Sequence, residues 1–117
     1  MDSIYSLSTP EIAHRRRDLA PSQQAAFEAF GKAVFADGVL PAKIKQIIAV
    51  AVAHVTQCPY CINGHTKAAL RAGATSEELM EAIWVAAEMR AGGAYHSTLM
   101  LAAINEAEEK RKSRSAL

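Results

Sequence analysis

The stretch Cys58-Pro59-Tyr60-Cys61-Ile62-Asn63-Gly64-His65 carries the chain's only two cysteines, three residues apart, with a histidine four residues after the second. A proline suits the first turn of a helix, where its missing N–H needs no partner and its φ is already helical. Pro59 is therefore read as opening a helix, with Cys58 at or beside the N-cap. On that helix Cys58 and Cys61 are i, i+3 and Cys61 and His65 are i, i+4, so both thiols and the imidazole share a face. A thiol is ordinarily protonated at neutral pH. Unpaired N–H groups at a helix start and a nearby imidazole both favour the nucleophilic thiolate. An i, i+3 separation also brings two Cα atoms to about 5–6 Å, within disulfide range, so the pair can cycle between dithiol and disulfide.

Two other uses of these residues compete with redox chemistry. The cysteines can be small buried apolar residues, although chance rarely sets both in a C-x-x-C at a helix start with a histidine one turn on. A zinc site can be drawn from Cys58, Cys61 and His65 with His54 or His96, but structural zinc sites usually take their second ligand pair from a second knuckle, absent here.

The rest of the chain must position that turn. At 117 residues it is read as a single domain, 1–117, with a core over about 21–107 and a mobile charged tail over 108–117. Half the residues are hydrophobic but only 6% are aromatic. The helices should then pack on alanine and leave alanine-rich faces for other subunits. A net charge of +1 gives no reason to expect nucleic acid or a membrane surface as partner. Arg15-Arg16-Arg17 reads as a solvated helix end. No signal peptide is visible and no apolar run approaches the ~20 residues of a membrane span. A cytoplasmic location is expected, where a C-x-x-C is more often catalytic or metal-binding than a permanent staple.

Residues 1–8 read as a lead-in whose Ile4 and Leu7 dock on the core. Thr9 and Pro10 start a short helix to about Asp18, and Pro21 opens another with Phe27, Phe30 and Val34 as a buried stripe, ended by Asp37-Gly38. From Pro41, Ile44, Ile47, Ile48, Ala51, Val52 and Val55 follow helical spacing and should form a buried face. The cysteine helix runs to about Arg71 and stops at Gly73. Thr75 and Glu78 make a capping box for a fifth helix striped by Leu79, Met80, Ile83, Trp84 and Ala87. Trp84 fits a core or subunit interface better than a cofactor box. Gly92-Gly93 should interrupt the pattern before it resumes over about 94–107 with Leu99 and Ile104. The expected fold is all-α with five or six helices.

With Lys43 through Ala53, the cysteine motif, His65-Thr66-Lys67-Ala68-Ala69 and Gly73-Ala74-Thr75 set out, the chain resembles the AhpD-like (alkylhydroperoxidase-like) branch of the carboxymuconolactone decarboxylase family. The resemblance implies a small helical bundle with C-x-x-C at a helix N-terminus, assembling as a trimer or hexamer. It implies reduction of small organic hydroperoxides at the expense of a protein or small-thiol reductant, with no cofactor and no metal. By that resemblance Cys61 attacks the peroxide, Cys58 passes a proton and closes the disulfide, and His65 assists deprotonation. Position alone leaves the order open, since Cys58 lies closest to the unpaired N–H groups. One position departs from the pattern: Gln46, twelve residues before Cys58, stands where members with the full proton relay carry glutamate. A glutamine can hydrogen-bond but cannot take up a proton at neutral pH. His54, two turns further along the helix, and His96 are candidates to join the site. Tyr60 is a candidate to shape access.

Two readings from other classes stand beside this one. The first is a non-catalytic oligomeric module whose cysteine pair senses redox state or clips a metal. The second is the family's namesake lactone decarboxylation, disfavoured because that chemistry has no evident use for a C-x-x-C.

Overall fold

Prolines and short polar side chains set most of the helix starts. In the computed structural model, which describes residues 4–116, Thr9 Oγ1 accepts a hydrogen bond from the Ile12 N–H at 3.3 Å and Pro10 occupies the first turn of α1, Pro10–Leu19. Pro21 opens α2, Pro21–Phe35. The carboxylate of Asp37 then accepts from the Ala42 N–H at 2.7 Å and steadies the start of α3, Ala42–Thr56. Then come α4, Pro59–Arg71; α5, Ser76–Tyr95, opened by the full Thr75/Glu78 capping box; and α6, Thr98–Ala116. Among the described residues there are six helices and no strand, an all-α fold.

The packed unit is α3 with α4 on one side and α5 on another. Its centre is small: Val50 is 1% exposed and Ala69 0%, with Ala74 and Leu79 closing the cluster and Ile47 packed against it. Alanine at these contacts lets the helix backbones approach closely, so the sites tolerate little added volume. Between α4 and α5 the chain turns at Gly73, whose φ of +99° suits glycine, and the Ala74 N–H returns to the carbonyl of Ala69 at 2.9 Å.

Several expectations change. Ile4 and Leu7 are exposed rather than docked, and residues 1–3 and 117 lie outside the described residues. The α2 stripe is not buried within the chain: Phe27 is 69% exposed and Phe30 64%, because α2 rests only lightly on α3. On α3 the fully buried positions are Val50 and Ala53, while Ile44, Ile48 and Val52 face outward. Gly92-Gly93 does not interrupt α5, which continues to Tyr95 and is sealed by the His96 N–H on the Gly92 carbonyl. Residues 108–116 are not an irregular tail but the end of α6, where Lys110–Glu106 at 3.1 Å bridges one helical turn.

The single chain is elongated, 71 Å along its longest axis, with a radius of gyration of 22.1 Å. A compact chain of this length has a radius of about 13 Å. Outside the packed unit, α1, α2 and α6 bury no residue, and α6 presents Leu99, Met100, Leu101 and Ile104 outward. Trp84 and Met89 on α5 are likewise exposed.

Candidate thiol site

A tight reversal between α3 and α4 places the cysteines. Gln57 takes a left-handed conformation, φ 58° and ψ 45°, and both its N–H and that of Cys58 bond the carbonyl of Ala53. The chain thus turns from α3 into α4 with only Gln57 and Cys58 between them. Cys58 is the N-cap of α4 and Pro59 follows it in the first turn, as the sequence suggests. The Cys58 sulfur accepts from the Cys61 N–H at 3.2 Å, the place where an N-cap oxygen would ordinarily sit. Cys58 and Cys61 are joined as a disulfide with their Cα atoms 5.3 Å apart.

One turn further along α4, His65 meets α3. Its Nδ1 lies 2.8 Å from Oε1 of Gln46. A carbonyl oxygen only accepts, so with Oε1 turned to the ring the imidazole donates from Nδ1. The ring of Phe35, at the end of α2, stacks on the imidazole with centroids 5.1 Å apart and planes 28° from parallel. Together these contacts hold the plane of His65.

Cys61 and His65 border an open cavity of about 400 Å³ lined by the end of α2, one face of α3 and the start of α4. Its other walls are apolar, chiefly Val34, Phe35, Ile48 and Val52. Cys58 is not among the cavity-lining residues. The two sulfurs are therefore inequivalent: one faces the space a ligand can enter, the other sits on the backbone N–H groups of the helix start.

Four residues singled out in the sequence, Cys58, Cys61, His65 and Gln46, come together here. The other candidates do not. His54 Nδ1 is held 2.7 Å from the carbonyl of Val50, and the side chain lines a separate recess with Arg90 between α3 and α5. His96 caps α5 and meets Tyr95 edge-on. Neither completes a metal cage, and no group of three or more possible ligands occurs among the described residues. Tyr60 turns outward, its hydroxyl donating to the Ser6 carbonyl at 2.8 Å and its ring edge-on to Tyr5. Phe35 and Lys45, both part of the cavity wall, were passed over in the sequence. Phe35 stands one residue past the Phe27, Phe30, Val34 stripe and carries no local signal of its role.

Residues 21–105 match the carboxymuconolactone decarboxylase family, to which this protein belongs. It is 66% identical over 82 residues, 69% of this chain and 74% of the other, to uncharacterized protein 4 in the cox locus of Paracoccus denitrificans. Among solved structures it is similar to a carboxymuconolactone decarboxylase family protein of Legionella pneumophila, with 34% identity, a TM-score of 0.65, and coverage of 68% of this chain and 70% of that one. It is also similar to a family member of Thermotoga maritima for which a part in the antioxidative response has been suggested, with 26% identity, a TM-score of 0.54, and coverage of 81% and 96%. No described helix is long and apolar enough to cross a membrane.

Proposed function

We propose that the protein is a thiol-dependent peroxidase of the alkylhydroperoxidase-like type, reducing small organic hydroperoxides through Cys61, Cys58, His65 and Gln46. The observation that carries this reading is that Cys61 and the Gln46-bonded His65 line the same mostly apolar cavity, with Cys58 within bonding distance of Cys61. In the dithiol form His65 Nε2 takes the proton of the Cys61 thiol. The thiolate attacks the terminal peroxide oxygen, the O–O bond breaks, and the alkoxide leaves as the alcohol with the proton from His65. Cys61 is then a sulfenic acid. The Cys58 sulfur attacks it, water leaves, and the disulfide closes; two electrons and two protons from a protein or small-thiol reductant restore the dithiol.

Gln46 orients the imidazole but adds no charge to hold its proton, so a modest rate is expected. The reading places the protein in the reducing cytoplasm, without cofactor or metal, and as a trimer or hexamer whose contacts cover the apolar faces of α5 and α6. The missing carboxylate favours one further reading, an oligomeric redox sensor that forms the disulfide without sustained turnover. Consumption of tert-butyl hydroperoxide with dithiothreitol separates the two. Turnover abolished by Cys61→Ser supports the peroxidase. A parent that forms one disulfide per chain and then stops supports the sensor, and turnover that survives Cys61→Ser excludes the assignment of Cys61.

A further inference from the structure

The thiol cavity is mostly apolar, with Thr56, Cys61 and His65 among its lining, and its wall carries one cation. Lys45 is the only residue of its wall with a fixed positive charge. Its ammonium donates to the Ala36 carbonyl at 2.6 Å, beneath the loop between α2 and α3. It lies 3.6 Å from where a β-carbon would stand on Gly38, ordinary contact distance from the loop. Among the described residues Lys45 makes no ion pair, although the neighbouring Lys43 does, with Glu78 at 3.1 Å. An ammonium has three donors and one carbonyl uses one. Two remain for a ligand, at the edge of a wall that is otherwise mostly hydrocarbon.

Lys45, Ala49, Val52 and Thr56 line the cavity along one face of α3. Eleven residues of helix separate the first from the last, about 16 Å of axis. The thiol and imidazole enter this elongated space from α4. A ligand that satisfies all of it has an apolar body and an anionic group at the Lys45 end.

We infer that Lys45 is the carboxylate-binding residue of this cavity, and that the preferred substrates are amphipathic acids bearing a hydroperoxide, such as fatty-acid hydroperoxides. Binding of the acid rests on the cavity alone; its reduction rests on the peroxidase reading above. A carboxylate accepts charge-assisted hydrogen bonds from the ammonium, stronger than those a neutral ester accepts. The chemistry at sulfur is unchanged: the O–O bond breaks, Cys61 keeps one oxygen, and the hydroxy acid leaves.

The first arm of the test needs no turnover. Calorimetric titration of the disulfide form with decanoate and with decanol, in the parent, Lys45→Met and Lys45→Glu, reads the carboxylate site directly. Decanoate should bind more tightly than decanol in the parent, and Lys45→Met should weaken decanoate by about tenfold, the loss expected of a charge-assisted hydrogen bond. Lys45→Glu should weaken it further. Equal affinity for the two probes, no binding of either, or decanoate binding indifferent to both substitutions overturns the inference. The second arm compares kcat/KM for linoleate hydroperoxide and its methyl ester. A preference for the acid that disappears in Lys45→Met supports the substrate assignment, and equal turnover of acid and ester by the parent overturns it while leaving the peroxidase intact. Decanoate held through Lys45 with no hydroperoxide consumed supports the carboxylate site and removes the peroxidase reading instead.

Discussion

Gln46 Oε1 accepts from His65 Nδ1 at 2.8 Å across the α3–α4 packing, joining residues 19 apart in sequence. The contact orients the imidazole as a carboxylate would, with one difference: glutamine carries no charge. Substitution by glutamate should therefore change electrostatics while leaving geometry in place.

In Gln46→Glu the new carboxylate favours an imidazolium beside Cys61, which in turn favours the thiolate. The pH midpoint for iodoacetamide alkylation of Cys61 should move downward, and hydroperoxide turnover at neutral pH should rise by about tenfold or more. An alkylation midpoint indifferent to the substitution would mean that His65 does not act on Cys61.

Gln57 is the only described non-glycine residue with positive φ, at 58°. A left-handed conformation costs an L-residue about 1–2 kcal/mol, and β-branching adds to the cost. Gln57→Val should therefore lower stability by about 1–2 kcal/mol in urea unfolding, whereas Gln57→Gly should be neutral or slightly stabilising. Equal losses for both would place the constraint in the glutamine side chain rather than in the backbone.

Ala69 is fully buried where α4 meets Val50 and Leu79. Three extra heavy atoms have nowhere to go without moving a helix, so Ala69→Leu should cost about 1–3 kcal/mol. A variant as stable as the parent by thermal melting would show that the α3–α4–α5 contact is looser than its burial implies.

These positions differ in how far the sequence announced them. Pro10, Pro21 and Pro59 mark helix starts because proline suits the first turn, and Thr75 with Glu78 marks another through reciprocal hydrogen bonds; both signals are local. The C-x-x-C and His65 share a face by helical spacing alone. Gln46 was reached through the family pattern, and its hydrogen bond to His65 could only be seen once α3 lay against α4. Phe35 and Lys45 were missed for that same reason, since their roles depend on where the end of α2 and the loop after it fall. Gly92-Gly93 misled because each glycine costs a helix only about 1 kcal/mol, which a twenty-residue helix can absorb. The stripe of Phe27, Phe30 and Val34 was read as buried, and it is an exposed apolar helix face. Periodicity says that such a face exists, not whether the same chain covers it.

The uncovered faces lead to a prediction about association. Trp84 on α5 is 67% exposed and Ile104 on α6 42%. Substitution of exposed side chains ordinarily changes stability by no more than about 0.5 kcal/mol. If subunits cover these faces, sedimentation of the parent should give a multiple of the 12.6 kDa chain, and Trp84→Glu with Ile104→Glu should dissociate it and lower its melting temperature. A parent sedimenting as a single chain, indifferent to both substitutions, would rule out assembly through α5 and α6.

The start of α5 carries a titration that stability should report. The Glu78 carboxyl is held below its ordinary value of 4.5, first by the hydrogen bond from the Thr75 backbone N–H and then by Lys43. A carboxylate with a lowered folded-state value contributes its stabilisation above its unfolded value and loses it as pH falls through the folded one. As pH falls below about 4.5 the parent should therefore lose stability in step with protonation of Glu78. Glu78→Gln keeps a side-chain acceptor for Thr75 but removes both the titration and the Lys43 ion pair, so its stability should fall less steeply over the same interval. Added salt should weaken the Lys43 contribution, because the pair is only partly shielded from solvent. Parallel pH profiles for parent and variant in urea unfolding would show that the capping box does not respond to the charge of Glu78.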